Sequence, residues 1–367
     1  MNFLSKLIFF VFLVLSLFGV AMVYSASFDI SLVFKQLLSL TVGIILFFVV
    51  NKIGIDKIKQ LLIPIIVINI FLLVLVLTPL GIEVNGSKAW IGIGPFNIQP
   101  SEFAKLTIVL YTAYFISNRM DMVKDFKKGF VPPFLLMLIF ALLINLEPDL
   151  GNASVVAALF LVIMFVGGTP LWHFLPLATF SFIGFWILLF TKSYRIKRLL
   201  AFIDPWKDPL GYGYNIIQSL IAHGRGYIWG VGFGNGNLKN YYLPEKHTDF
   251  IYSVIGEELG IVGNLIVLFI FFAFFSVIIY KSMKINDVFY KLVLFGLGFL
   301  IFMNAIINMS VTLSLLPATG VTLPFISYGG TSMIVNWIAL GIIVNILNKP
   351  TEVKKIDIQG KLIISKT

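Results

Sequence analysis

Residues Tyr241 to Gly260 read Tyr-Tyr-Leu-Pro-Glu-Lys-His-Thr-Asp-Phe-Ile-Tyr-Ser-Val-Ile-Gly-Glu-Glu-Leu-Gly. Glu245, Lys246, His247, Asp249, Glu257 and Glu258 are all ionisable, in a chain of which only 12% is Asp, Glu, Lys or Arg. The stretch runs directly into an apolar segment at 258 to 280. Ionisable groups gathered where a loop enters a membrane-crossing segment mark a functional site by default.

Outward from this stretch, the chain is too apolar for a soluble domain. Of its 367 residues 59% are hydrophobic, against roughly 45–50% in soluble domains, and the mean hydropathy is +0.99. Ten apolar stretches lie near 7–24, 34–50, 61–78, 102–117, 130–146, 151–167, 172–191, 258–280, 289–307 and 329–347. Each approaches the roughly 20 residues that a helix needs to cross a bilayer. The expected fold is all-α and polytopic, with about ten transmembrane helices and a large extracytoplasmic loop, 192–257, between the seventh and eighth. Residues 1–350 form one membrane domain in this reading, and 351–367 a short basic cytoplasmic tail.

Basic residues orient the bundle. Lys6, then Lys52, Lys57 and Lys59, then Arg119, Lys124, Lys127 and Lys128, then Lys281, Lys284 and Lys291, and finally the tail lysines all fall on one side, which is therefore cytoplasmic. The opposite short loops hold only Lys88. An even number of spans places both termini in the cytoplasm and the 241–260 stretch outside. The first apolar run resembles a signal peptide, but the nine that follow favour an uncleaved helix.

Several chemistries are excluded. There is no cysteine, hence no disulfide or thiol nucleophile, and the three histidines, His173, His223 and His247, have no helical metal-ligand spacing. No nucleic-acid-binding module is present, and the net charge of +10 suits anionic headgroups instead.

Four other segments carry polar chemistry. Asn85 to Lys105 contains the turn dipeptides Asn85-Gly86 and Gly94-Pro95, alternating Trp90, Ile91 and Ile93 that suggest a short hairpin or interfacial segment, and Pro100-Ser101-Glu102 opening a helix. Glu102 and Lys105 read as a first-turn acid with an i, i+3 pair, or as a lysine awaiting an anionic partner. Glu147-Pro148-Asp149-Leu150-Gly151 is a sharp outer turn whose carboxylates are either solvated or ligands of a hard cation. The large loop carries Arg195, Lys197, Arg198 and Arg225, a solvated or headgroup-binding cluster or a clamp for a lipid diphosphate. Leu316 to Ser332 has no charge, but its prolines and glycines break helix continuity at membrane depth, which requires a cavity or protein burial. Asp249 reads equally as a helix cap or as the reactive carboxylate beside that cavity.

Taken with Val23-Tyr24-Ser25-Ala26, Gln99-Pro100-Ser101-Glu102-Phe103-Ala104-Lys105, Glu147 to Gly151, Phe202-Ile203-Asp204-Pro205 with Gly213-Tyr214, Leu243 to Phe250 and Pro324 to Gly330, the chain resembles the SEDS family (shape, elongation, division and sporulation) of polytopic peptidoglycan glycosyltransferases. Asp204-Pro205-Trp206 and Gly320-Val321-Thr322-Leu323-Pro324 are more similar to its division branch than to its elongation branch. Ala89 and Thr319 depart from that pattern, which often has basic residues there; Lys88 stands one residue before the first. The resemblance implies polymerisation of lipid II with release of undecaprenyl diphosphate, and Asp249 as the essential catalytic residue. It also implies a substrate site drawn from Lys88, Trp90, Glu102, Lys105, Arg195, Arg198, Arg225, Glu245, His247 and Ser327. A divalent cation, Mg or Mn, would be held by Asp249, Glu147 and Asp149. The implied partners are a single-span class B penicillin-binding protein and other proteins of the division or elongation complex. The alternatives are a lipid II flippase or a non-catalytic scaffold of the cell-wall machinery.

Overall fold

In lipid, backbone N–H and C=O groups must pair within their own segment, so apolar runs of this length become helices. The computed structural model describes residues 1–84, 86–94, 96–175, 193–237, 245–349, 352–356 and 362–366. Its helices are α1 (Phe3–Ser27), α2 (Ile30–Ile53), the short α3 (Ile55–Gln60), α4 (Leu62–Leu77), α5 (Pro100–Asn118), α6 (Val131–Leu146), α7 (Leu150–Val166), α8 (Ser193–Ile203), α9 (Tyr214–Gly226), α10 (Ile251–Met283), α11 (Val288–Thr312) and α12 (Gly330–Leu347). α1, α2, α10, α11, α12 and the segment Phe126–Leu146 containing α6 are long and apolar enough to span a membrane, and α4 and α7 are shorter apolar helices. The chain is a multi-pass membrane protein. Most of the expected seventh span, 176–191, lies outside the described residues.

Aspartates cap helices as their short acceptors allow: Asp29 accepts from the Ser31 amide at 2.8 Å and Asp149 from the Asn152 amide at 3.0 Å. α2 and α12 approach closely through small residues, the usual device where lipid offers no hydrophobic drive. A Cβ on Gly43 would meet the Trp337 side chain at 3.0 Å, and one on Gly341 the Phe47 carbonyl at 2.9 Å. Asn2 reaches Asn348 and the Leu347 carbonyl at 2.7 and 2.9 Å, and Lys349 pairs with Asp56 at 2.6 Å. Both ends of the bundle therefore meet on one face.

The structure differs from the sequence reading in three respects. The expected hairpin is an antiparallel three-stranded sheet, β1 (Gly81–Val84), β2 (Ser87–Ile93) and β3 (Phe96–Ile98), in the order β1-β2-β3. The eighth span begins seven residues early, at Ile251, and breaks at Gly260 (φ 68°, ψ −170°). Amides freed by the break donate to the Tyr227 and Ile228 carbonyls, at 2.9 Å from Ile261 and 3.2 Å from Val262; this satisfaction lets a helix kink at membrane depth. The tail, in turn, pairs β4 (Glu352–Ile356) antiparallel with β5 (Leu362–Lys366).

Candidate active site

Asp249 lies in the turn 245–250 that leads into α10. It does not cap that helix: the N-cap is Phe250, without a side-chain cap bond. The turn closes on the Glu245 carbonyl, which accepts from the Thr248 and Phe250 amides at 3.2 Å, while Thr248 Oγ1 donates to Glu245 Oε2 at 2.9 Å. From outside, the uncharged 316–332 segment pins it. Ser327 Oγ donates to the Thr248 carbonyl at 2.7 Å, the Tyr328 amide to the His247 carbonyl at 2.8 Å, and Asn308 Nδ2 of α11 to the carbonyls of Asp249 and Val321, both at 2.9 Å. These bonds use main-chain carbonyls and so fix the backbone of the turn; a Cβ on Gly320 would lie 3.9 Å from Asp249 Oδ2.

Two glycines let the 316–332 segment reach this position. A Cβ on Gly19 of α1 would sit 2.6 Å from Ile326 Cα, and one on Gly151 of α7 would sit 2.1 Å from the Thr319 carbonyl oxygen. Neither obstacle is a flexible side chain, so the segment itself must move. Gly151→Ala is expected to leave a folded membrane protein whose turnover falls at least tenfold, measured as product formation per correctly folded molecule; wild-type turnover would show that this contact does not place the segment.

The pinned turn, the 147–151 turn, β2, the 317–332 segment and the outer end of α2 enclose a cavity of about 1020 Å³. Trp90, Asp149, Glu245, His247 and Asp249 line it, as does Lys35 of α2, which the sequence reading overlooked. The signal was present as a lone lysine at the start of the second apolar stretch. Burial holds the His247 imidazole below its ordinary range, against the opposing pull of Glu245, which favours a neutral ring; it meets the Tyr328 ring at 5.7 Å between centroids.

Behind the cavity wall runs a buried polar chain. Lys105 pairs with Glu102 at 2.6 Å and donates to Asn152 Oδ1 at 3.0 Å. Asn152 Nδ2 donates to Asp149 Oδ2 at 2.8 Å, and Gln99 Nε2 reaches the same oxygen at 3.1 Å. Lys105 and Glu102 are thus a paired charge inside the bundle that orients Asp149, and neither lines the cavity. Burial also pushes the Asp149 carboxyl above its usual range.

Glu147 is fully buried, and neither carboxylate oxygen has a partner among the described residues. Burial, with Asp149 adding to it, pushes its pKa up from 4.5 to about 9, so it is neutral at pH 7. A carboxyl whose folded pKa lies above its unfolded value contributes stability present below about pH 4.5 and lost as the pH rises through 9. At pH 7 the loss is about 3 kcal/mol. Glu147→Gln is therefore expected to raise the unfolding temperature at pH 7–8 and flatten its pH dependence; an unchanged or lower value would contradict the buried neutral acid.

The remaining expected site residues are placed elsewhere. Ser327 is buried and bonded to Thr248 and to the Leu323 amide, so it holds the turn and does not face the cavity. Arg225 stands 3.8 Å from the buried Glu257 and does not line the cavity; it joins the anchor of the glycine-rich 230–237 segment. In that anchor Glu257 accepts from the Asn237 amide at 3.0 Å, and Glu258 from the Gly234 amide at 3.0 Å and from Ser25 at 2.6 Å. Lys88, opposite Glu83 in β2, is also outside the lining. The side chains of Arg195 and Arg198 fall outside the described residues, although Leu199 of the same helix lines the cavity. Asp249, Glu147 and Asp149 do not form a ligand set: among the described residues no three Asp, Glu, His or Cys side chains cluster to hold a metal ion.

Residues 5–352 match the family of FtsW, RodA and SpoVE, described as cell cycle proteins. The stage V sporulation protein E of Bacillus subtilis (strain 168) is 39% identical over 91% of this chain and 94% of its own. A probable peptidoglycan glycosyltransferase FtsW of Geobacter sp. (strain M18) is 37% identical over the same shares. Among solved structures, a chain of a peptidoglycan synthase complex that coordinates polymerization and crosslinking superposes with a TM-score of 0.78 at 31% identity, covering 91% of this chain and 95% of that one. The rod shape determining protein RodA of Thermus thermophilus superposes with a TM-score of 0.67 at 27% identity, covering 92% and 94%. A match that runs from the first spanning helix past the last, with relatives aligned almost end to end, makes this chain a member of the FtsW, RodA and SpoVE family.

Proposed function

We propose that the protein is a peptidoglycan glycosyltransferase that polymerises lipid II into β-1,4 glycan strands. The observation that carries this reading is a carboxylate, Asp249, held by backbone bonds at the edge of a 1020 Å³ cavity in a membrane bundle, in a chain whose relatives include proteins named as such enzymes. In this mechanism Asp249 accepts the proton of the acceptor 4-hydroxyl as its oxygen bonds to the donor anomeric carbon. The bond from that carbon to the diphosphate oxygen breaks, undecaprenyl diphosphate leaves, and the configuration inverts. Trp90, Glu245 and His247 line the same cavity, which supports a role for them in orienting the sugars.

The side of the membrane is also part of the proposal. The two ends of the bundle meet on the face rich in lysine, which the charge rule makes cytoplasmic, and the cavity opens at the other end, toward the periplasmic or outer surface. A single-span class B penicillin-binding protein is the proposed partner, with other proteins of the division or elongation complex, supported by likeness to a synthase complex that couples polymerization to crosslinking. Among the described residues no cluster by itself makes a metal site, so no step is assigned to Mg or Mn. Purified protein incubated with lipid II, alone and with a transpeptidase partner, tests the reading: glycan strands support it. Lipid II moved across vesicles without polymer would replace it with transport.

A further inference from the structure

We infer that Lys35 is the cation that holds the diphosphate of the lipid substrate in the cavity; this rests on the glycosyltransferase reading. Apart from two tyrosines, the ionisable lining among the described residues is Lys35, Asp149, Glu245, His247 and Asp249. Lys35 carries the one ammonium in this described lining, on the same cavity as the Asp149, Glu245 and Asp249 carboxyl groups. A diphosphate entering such a cavity meets net repulsion unless a cation receives it.

Three other described cations near this end do not line the cavity. Lys105 is buried between Glu102 and Asn152, Arg225 stands on Glu257, and neither these nor Lys88 line the cavity. Lys35 is exposed, and its ammonium has no ion pair or hydrogen bond among the described residues. Its helix fixes it there from both directions. Asp29 caps α2 at 2.8 Å, and Ser39, one turn beyond Lys35 on the cavity wall, donates to the Lys35 carbonyl at 2.9 Å. Gln36, the next residue, binds the Ser327 carbonyl at 3.0 Å, tying this turn of α2 to the segment that pins Asp249. The ammonium and the catalytic carboxylate thus belong to one cavity and are linked through Gln36, Ser327 and Thr248. Proton acceptance by Asp249 and charge development on the departing diphosphate would be served from the two sides.

A lysine that merely snorkelled to the headgroups would affect neither lipid diphosphate binding nor turnover, which sets the test. Wild type, Lys35→Ala and Lys35→Arg are placed in phosphatidylcholine nanodiscs, where headgroup charge does not compete. Binding of undecaprenyl diphosphate and of undecaprenol is measured, with inorganic diphosphate as competitor, alongside lipid II polymerisation and thermal unfolding. The expected result is that Lys35→Ala weakens undecaprenyl diphosphate binding about 10- to 100-fold and lowers kcat/KM for lipid II, with undecaprenol binding and unfolding unchanged. Lys35→Arg should stay within a few-fold of wild type. Wild-type polymerisation with undiminished diphosphate binding by Lys35→Ala would overturn this inference alone. Equal competition by inorganic diphosphate would overturn it as a lipid substrate site. Should Lys35→Ala unfold, loss of diphosphate binding by folded Lys35→Gln carries the same reading, and retention overturns it. A wild type that binds undecaprenyl diphosphate but makes no glycan would instead sink the glycosyltransferase reading.

Discussion

Asp249→Asn is expected to lower glycan polymerisation by about 10²- to 10⁴-fold, the usual contribution of a positioned general base, while lipid II binding and thermal stability stay near wild type. The asparagine keeps the shape of the side chain and removes its ability to take a proton. The bonds that pin the turn are spared, because Asn308 reaches the Asp249 main-chain carbonyl and Ser327 the Thr248 carbonyl. A loss of activity therefore cannot be traced to a displaced turn. The assay is glycan chain length from purified lipid II, with binding measured on the same preparations. Activity above a tenth of wild type would remove Asp249 from the role of base. Retention of lipid movement across vesicles by the same variant would point to a transporter.

Glu102→Ala is expected to destabilise the fold by about 3–5 kcal/mol, the range for removing one partner of a buried ion pair. Lys105 and Glu102 are both buried, 1% and 4% exposed, and sit 2.6 Å apart within one turn of α5. Without the carboxylate, Lys105 keeps only the neutral Asn152 oxygen at 3.0 Å and remains a charge inside a membrane bundle. The double variant Glu102→Leu with Lys105→Met should recover most of the stability, because replacing a buried pair by apolar groups of similar volume is often neutral. Both variants should disturb Asp149, which receives its orientation through Asn152. Equilibrium unfolding in detergent measures the difference; equal stability of Glu102→Ala and wild type would show that the pair is solvated and structurally idle.

The two experiments address different parts of one arrangement. Asp249 belongs to the cavity wall, and the Glu102–Lys105 pair to the frame behind it. The family resemblance set Glu102 and Lys105 in a substrate site beside Asp249, and charge in an apolar chain looks alike whether it faces a cavity or another charge. Spacing did reveal the i, i+3 geometry of Glu102 and Lys105, which is a property of any helix. It could not reveal that Asn152, some fifty residues later, completes the pair. Arg225 and Ser327 lie off the cavity lining for the same reason: Arg225 stands 3.8 Å from Glu257 and Ser327 bonds to the Thr248 carbonyl, contacts made only on folding. Lys35 was missed because one lysine at the edge of an apolar run is ordinary in sequence and becomes notable only when carboxyl groups from two other segments line the same cavity.

Hydropathy, helix length and the sidedness of lysine and arginine are local or one-dimensional properties, and a bilayer converts them directly into spanning helices and orientation. For that reason the sequence alone determined a polytopic helical bundle, its broken 316–332 segment and the importance of the 241–260 stretch. Which polar groups face the cavity depends on contacts between residues far apart in the chain. Gly19 against Ile326, Gly151 against Thr319 and Asn308 against Asp249 are decided by close approach of backbones, and no local pattern encodes the partner. Tertiary structure alone therefore separated the lining, Asp249, Asp149, Glu245, His247, Trp90 and Lys35, from the charges that merely hold it in place.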